Sequence, residues 1–470
     1  MRRTKIVATL GPATSDPEAI SRLIGAGADV LRLNFSHGSP EQHASLISRV
    51  RSAAERAQRE VALLGDLPGP KLRLGDIDGR VVELTKGQRL SLTTRSVAGN
   101  AEQIPISWPQ LPEAVKEGDV IYLADGTICL RVRGKSKEEV LTEVEVGGTV
   151  TSRQGMNLPG IEVGLPTVSE TDFRWIDFAV EQQVDLLAVS FVRRRQDLEP
   201  VEERLAEHGV DTPLIAKIEN AQAANNAEEI IQAVTGGIMV ARGDLGIELP
   251  IEMVPLVQKR LVALAGRFSK PSIIATQMLA SMVHSSRPTR AEASDVANAI
   301  YDGTDAVMLS EETAVGDYPF EAVRTIVEIA SATEKELPYG DWLFSRTGRE
   351  RDVAESVAYG AVASVYQLGL KALVVPTSSG RTARLVSAHR PQVPVLALCP
   401  RLETARRLNL LFGVVPALNE EPQSLNELLD ECAERAQELG VAKSGDLIGI
   451  TAGLPDQRLG TNLLEVHRVP

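Results

Sequence analysis

Cysteine is scarce in this chain: Cys129, Cys399 and Cys432 are the only three in 470 residues, far apart and with no CxxC pair. That excludes a disulfide framework and a cysteine zinc site, and it points to a reducing compartment, read here as the cytoplasm. Aromatic residues are few, at 4%, so the cores must be built from Val, Ile, Leu and Ala. Basic residues are outnumbered, 50 Lys plus Arg against 63 Asp plus Glu, for a net charge of −13. A chain of that sign is not a bulk-charge binder of nucleic acid or of an anionic membrane. An anionic small substrate stays open, given a local cluster of basic groups or a metal. No run approaches the roughly 20 apolar residues of a membrane span. The basic start Met1-Arg2-Arg3 leads into Ile6–Leu10, which Gly11-Pro12 ends too soon for a signal peptide. There is no GxxxxGK(S/T) loop, which excludes a P-loop enzyme.

What is present is ordinary globular composition, 43% hydrophobic and 24% charged. A single core rarely grows past roughly 250–300 residues, so two or three domains are expected. Eight short apolar runs recur: Thr4–Thr9, Val30–Phe35, Val61–Asp66, Leu186–Phe191, Leu214–Glu219, Ile238–Ala241, Ser272–Thr276 and Ala306–Ser310. Each has the length of a buried parallel strand. Amphipathic segments such as Pro17–Ala26 and Ser39–Arg59 lie between them. Strand-helix alternation implies right-handed crossovers, and eight strands point to a (β/α)₈ barrel, with an open doubly wound sheet as the alternative.

One connection breaks the rhythm. Residues 70–155 alternate with period two and carry Gly-Asp, Asp-Gly and Gly-Lys turns, the pattern of an inserted small β-barrel. An insertion after the third strand sits at the C-terminal mouth of the barrel, where a lid is a natural role. The barrel resumes with a helix over Ser169–Gln183, opened by the capping sequence Ser169-Glu170-Thr171-Asp172. Alternation restarts near Arg351, and Leu337–Arg349 reads as a linker. The division expected is therefore a barrel over 1–69 and 156–336, a lid over 70–155, and a C-terminal α/β domain over 350–470.

The strand ends are polar. Arg32 and Asn34 share one face, as do Lys217 and Glu219, and Asp66, Ser190, Asp244, Thr276 and Ser310 end five more strands. Lone charges at strand ends are usually solvated. Seven of eight strands converging on one mouth mark an active site. Glu219 and Asp244 suit a hard divalent cation, foremost Mg²⁺, with Mn²⁺ also accommodated. The alternative is a salt bridge from Glu219 to a nearby Lys or Arg. Arg32, Arg73 and Lys217 beside such a metal form the charge cluster that a transferring phosphoryl group needs. Arg242-Gly243-Asp244-Leu245-Gly246 offers backbone N–H groups to a carboxylate or phosphate.

The motifs TKIVATLGPAT (Thr4–Thr14), LRLNFSHG (Leu31–Gly38), IAKIEN (Ile215–Asn220), MVARGDLGIELP (Met239–Pro250), ATQMLASM (Ala275–Met282) and MLSEETAVGDYP (Met308–Pro319) resemble the signatures of the pyruvate kinase family, in the family's order. The resemblance implies phosphoryl transfer from phosphoenolpyruvate to ADP, giving ATP and pyruvate, the last step of glycolysis, and a homotetramer. It implies that Glu219 and Asp244 hold the divalent metal. It assigns Lys217 and Arg32 to the phosphoryl group and Thr276 to ordering the group that protonates the enolate. It also implies a substrate pocket of Arg32, Ser190, Lys217, Ala241, Gly243, Asp244 and Thr276, with the backbone of Ala241–Asp244 on the substrate carboxylate. Asn34, His37 and Arg73 fall to the nucleotide; for His37 a helix-start hydrogen bond is the alternative.

One departure stands out. Many members read Asp-Thr-Lys-Gly-Pro-Glu after the third strand and require K⁺; this chain reads Asp66-Leu67-Pro68-Gly69-Pro70-Lys71. The expectation is that the Lys71 ammonium takes the monovalent ion's place among Asn34, Ser36, Asp66 and Leu67, so that K⁺ is not required. The alternative leaves Lys71 in solvent. In the last domain Thr377, Ser378, Ser379, Gly380 and Thr382 follow a strand and open a helix. The resemblance implies a phosphorylated allosteric effector there, a sugar phosphate or AMP; a plain capped turn is the alternative. An aldol-type Mg²⁺ lyase and a non-catalytic scaffold are the rival functions, and ADP-dependent product formation separates them.

Overall fold

The computed structural model describes residues 1–161, 164, 166–345, 352–420, 424–453 and 460–470. Eight parallel strands close into a barrel: β1 (Lys5–Thr9), β2 (Val30–Asn34), β3 (Ala62–Asp66), β4 (Leu186–Val189), β5 (Leu214–Ile218), β6 (Gly237–Ala241), β7 (Ser272–Ala275) and β8 (Ala306–Leu309). Each lies on one of the apolar runs. Several end a residue or two early, because Phe35, Ser190, Phe191, Glu219, Thr276 and Ser310 leave the ladder at the mouth.

The period of two along each strand positions the site. Val7, Val30, Leu64, Ala188, Ile215, Met239, Ile273 and Ala306 belong to the cluster that fills the barrel interior. Two residues further along the same strands come Thr9, Arg32, Asp66, Ser190, Lys217, Ala241, Ala275 and Met308. They point the same way, toward the barrel axis, and all but Thr9 line the mouth, with Ala275 and Met308 also packing on the interior cluster. The alternate residues, such as Ile6, Leu31, Leu63 and Ile218, pack outward against the helices. Helix starts follow local chemistry. Asp16 accepts from the backbone N–H groups of Glu18 and Ala19 to open Pro17–Ala26, and Ser39 forms a capping box with Gln42 at Pro40–Arg56. Ser169 and Asp172 do the same for Glu170–Glu181, as their sequence predicts.

The insertion has its own core of Leu, Ile and Val around Trp108. It is built from a six-stranded sheet and the antiparallel pair Val81–Leu84 with Gly148–Thr151. The chain enters it through Gly69, whose φ is +65°. A Cβ there would stand 2.8 Å from the Phe191 ring and 2.9 Å from Ser190 Cβ, so only glycine fits.

The C-terminal part is a five-stranded sheet: β9 (Ala372–Pro376), β10 (Val395–Cys399), β11 (Val414–Leu418), β12 (Leu447–Ala452) and β13 (Leu463–Arg468), in the order β11-β10-β9-β12-β13. Nothing in the sequence marks the antiparallel edge strand β13. The expected linker stretch also holds more structure than its Pro and Gly content suggests. Tyr339–Ser345 is a helix, because Leu337 and Tyr339 pack into the barrel core while Leu343 packs into the C-terminal core. Residues 346–349 of that stretch lie outside the described residues. The C-terminal domain seats against the N-terminal end of the barrel, away from the mouth. Leu410 joins the barrel's interior cluster, the Lys5 ammonium donates to the Val414 carbonyl at 2.6 Å, and the Gly413 N–H donates to the Arg3 carbonyl at 2.9 Å.

Candidate active site

The mouth holds a cavity of about 120 Å³. Of the residues singled out by sequence, Arg32, Asn34, Ser36, Asp66, Lys71, Ser190, Lys217, Glu219, Ala241, Asp244, Thr276 and Ser310 line it. Asp244 is displaced from its expected strand end: it stands in the first turn of the short helix Arg242–Glu248 that follows β6.

The floor is a chain of alternating charge. Arg32 Nε donates to Asp66 Oδ2 at 2.7 Å, and its Nη1 donates to Thr9 Oγ1 at 3.1 Å. Lys217 Nζ lies 3.2 Å from Asp66 Oδ1, 2.8 Å from Glu219 Oε1 and 2.8 Å from Ser190 Oγ. The Ser190 hydroxyl donates onward to the Leu67 carbonyl at 2.7 Å. The salt bridge weighed for Glu219 therefore exists, and it is to Lys217; the other carboxylate oxygen accepts from the Phe191 N–H at 2.8 Å. Burial works to raise the Asp66 carboxyl, but Lys217 and Arg32 outweigh it and hold it below the usual range. Burial also opposes the Lys217 charge, and Asp66 and Glu219 outweigh it, so the ammonium is held above its ordinary value.

Asp244 is the exception. Burial, and then the neighbouring Glu219, push it up to about 6. Among the described residues no side chain or N–H donates to its carboxylate. Two carboxylates facing one space, one lacking a donor and raised by the other, fit a divalent cation that keeps water or substrate oxygens. No group of three or more His, Cys, Asp or Glu forms a denser cage among the described residues. Glu248, on the same short helix, is pushed up to about 7 by burial, with Asp244 adding to it.

Thr276 has a φ of +69°, a strained value for a β-branched residue. Three bonds hold it. The Gly243 N–H donates to its Oγ1 at 2.7 Å, its hydroxyl donates to the Ala275 carbonyl at 2.6 Å, and Arg242 Nη2 donates to its own carbonyl at 2.9 Å. Arg242 is in turn fixed by Asp295 at 2.7 Å. The hydroxyl proton is thereby committed to the backbone.

Other expected residues stand apart. Gly243 touches Thr276 but does not line the cavity. The Leu67 side chain is buried in the outer core, and only its carbonyl reaches the site's hydrogen bonds. His37 is exposed outside the cavity; Ser39 makes the helix-start bond instead. Arg73 is exposed in the insertion, its Nη1 donating to the Arg153 carbonyl at 3.1 Å. Thr377 Oγ1 already accepts from the Gly380 N–H at 3.0 Å, and the Thr382 and Thr461 hydroxyls bond at 2.6 Å, while Ser378 and Ser379 are exposed. Pro68, Phe191, Met239, Ala275 and Met308 line the cavity and were missed. Met239 and Met308 were open to a strict period-two count. Nothing in the sequence marks Phe191, which turns its N–H to Glu219 at a φ of +55°.

A family model for the pyruvate kinase barrel domain matches residues 1–323, and one for the pyruvate kinase alpha/beta domain matches 355–467. The chain is 42% identical over 473 aligned positions to the pyruvate kinase of Bacillus licheniformis, covering 100% of this chain and 81% of that one. It is 43% identical over 471 positions to that of Geobacillus stearothermophilus, covering 99% and 80%. The crystal structure of a pyruvate kinase from Cryptosporidium parvum superposes with a TM-score of 0.95 at 35% identity, over 100% of this chain and 96% of that one. Agreement from end to end, across barrel, insertion and final domain, leaves one conclusion: the chain belongs to the pyruvate kinase family and is a phosphotransferase.

Proposed function

We propose that the mouth of this barrel takes the phosphoryl group of phosphoenolpyruvate and passes it to ADP in a Mg²⁺-dependent, K⁺-independent reaction. The observation that carries this reading is the fixed run Arg32–Asp66–Lys217–Glu219 on the cavity floor. Two cations held rigid by buried carboxylates need no reorganisation as charge spreads over the phosphoryl oxygens. Lys217 meets the phosphoryl group in flight, and Arg32 holds the same phosphate. The first turn Ala241–Asp244 receives the substrate carboxylate, with Ser190 beside it. The bond from the enol oxygen to phosphorus breaks and one from an ADP oxygen forms. The enolate then takes a proton at carbon from a water ordered by Thr276, since a threonine hydroxyl is too weak an acid alone. Asn34, His37 and Arg73 serve the nucleotide, the last two once residues 70–155 close as a lid over the barrel of 1–69 and 156–336. Closure excludes water, so that phosphoenolpyruvate is not hydrolysed.

Glu219 and Asp244 would hold Mg²⁺, and Mn²⁺ suits the same oxygen pair. When bound, the metal supplies positive charge to substrate and phosphoryl oxygens. Because Asp244 binds metal as the anion, apparent Mg²⁺ affinity should fall as pH drops through about 6, roughly tenfold per unit below it. Its raised value also means that the metal-free fold loses stability as pH rises through that value, which added Mg²⁺ should offset. Thermal midpoints across pH, with and without Mg²⁺, read both effects. An affinity flat through that range would exclude Asp244 as a ligand.

Lys71 is our reading for the missing K⁺. Lys71 is exposed, yet it lines the same cavity as Asn34, Ser36 and Asp66, and it lies close enough to Asp244 to favour that carboxylate. Lys71→Glu should make turnover depend on K⁺; an active variant indifferent to K⁺ would sink the assignment. We also read the turn Thr377–Thr382, with Ser378, Ser379 and Gly380, as the seat of a phosphorylated activator, within a regulatory domain of 350–470 and a homotetramer. Thr377→Ala with Ser379→Ala should remove activation by sugar phosphates or AMP and leave basal turnover. Activation that survives both changes would rule the turn out.

A further inference from the structure

A second cleft lies at the opposite end of the barrel, where the barrel loops meet the C-terminal domain. Lys270, Arg384, Arg390, Asp305, Ser269 and Ser387 are among its lining residues. Arg390 is neutralised by Asp305 at 2.7 Å, both side chains 3% exposed. Lys270 and Arg384 are not neutralised. Lys270 Nζ donates to the Val234 carbonyl, and Arg384 Nη1 donates to the Thr235 carbonyl at 3.1 Å. Among the described residues neither meets a carboxylate. Burial and then Arg384 lower Lys270 to about 8, and burial and then Arg381 lower Arg384. Two half-buried cations are thus held together, against their mutual repulsion, with only backbone carbonyls for company.

We propose that this cleft binds a phosphate group, and that binding loosens the seating of the C-terminal domain on the barrel. Three cations and one carboxylate leave a double positive charge, which a phosphate dianion matches. A guanidinium fork beside an ammonium suits its oxygens. The free space is about 10 Å³, room for little more than one water. A phosphate therefore enters only as Arg384 leaves Thr235, and that bond ties the C-terminal domain to the barrel. The cleft is separate from the turn Thr377–Thr382, although the helix Arg381–Ala388 adjoins both.

Calorimetric titration of the full chain with inorganic phosphate, at constant ionic strength in chloride, tests this. Lys270→Met with Arg384→Met should bind one phosphate fewer per chain, while Thr377→Ala with Ser379→Ala keeps it. Lys270→Glu puts a carboxylate beside Arg384. It should fold at least as well as the wild type by thermal midpoint and still lose that phosphate. Turnover without phosphate should be unchanged in both Lys270 variants, since neither position belongs to the catalytic machinery. Repeating the titration with glycerol phosphate separates the sources: tighter binding names a phosphorylated metabolite, and equal binding names free phosphate. An unchanged phosphate count in both Lys270 variants would overturn the proposal.

Discussion

Lys217→Met should lower turnover by about 10²–10³-fold, the usual cost of losing one preorganised donor to a developing charge. The side chain is 13% exposed and bonds at once to Asp66, Glu219 and Ser190. Three partners hold it in place, so the change removes a fixed cation from the cavity floor. The change also leaves Glu219 with only the Phe191 N–H, whereas Asp66 keeps Arg32. The variant should then bind Mg²⁺ differently, because Glu219 has lost the cation 2.8 Å from it. Lys217→Arg should not restore the rate, because a planar fork cannot reach three oxygens around one point. Kinetics on both variants check this. Near-normal turnover in the Met variant would mean that Lys217 is only a counterion for Asp66.

Arg390→Met should cost about 3–5 kcal/mol, the range for stripping one partner from a buried ion pair. Arg390 bonds both Asp305 oxygens, at 3.1 and 2.7 Å, and the carbonyls of Gly303 and Ser387 at 2.7 and 3.0 Å. Its guanidinium also lies 4.9 Å from the centre of the Phe412 ring. Asp305 would retain the backbone N–H groups of Ser272 and Phe412, at 3.1 and 3.2 Å, which do not offset a full charge. Unfolding followed in the C-terminal domain reads the loss. Adding Asp305→Asn should recover part of it, as coupled partners do. A loss within a few tenths of a kcal/mol would show that apolar contacts such as Leu410 in the barrel end hold the two domains together unaided.

The barrel was legible because each strand is a short apolar run bounded by polar turns, and the period of two then told which side chains reach the mouth. Arg32, Asp66 and Lys217 could be grouped on that rule alone. Their pairing could not: whether Lys217 prefers Asp66 or Glu219 depends on distances set by closing the barrel. Arg242 stood in a motif, yet its task of holding the Thr276 carbonyl follows from a backbone angle that no sequence displays. The contact of Arg390 with Asp305 spans 85 positions, and nothing local to either residue announces it. Strand β13 escaped because it is an edge strand whose residues are mostly half-exposed, so burial gives it no apolar signature. Arg73 and His37 illustrate the opposite limit: the motif groups them with the nucleotide, while both lie outside the mouth cavity in this structure.

The most direct test is pyruvate formation from phosphoenolpyruvate and ADP with Mg²⁺, with and without K⁺ at matched ionic strength. Equal rates that vanish when ADP is omitted are expected if Lys71 supplies the monovalent charge. A rate that appears only with K⁺ would contradict the Lys71 account while leaving the phosphoryl transfer intact, and no pyruvate under either condition would contradict the assignment of the mouth itself.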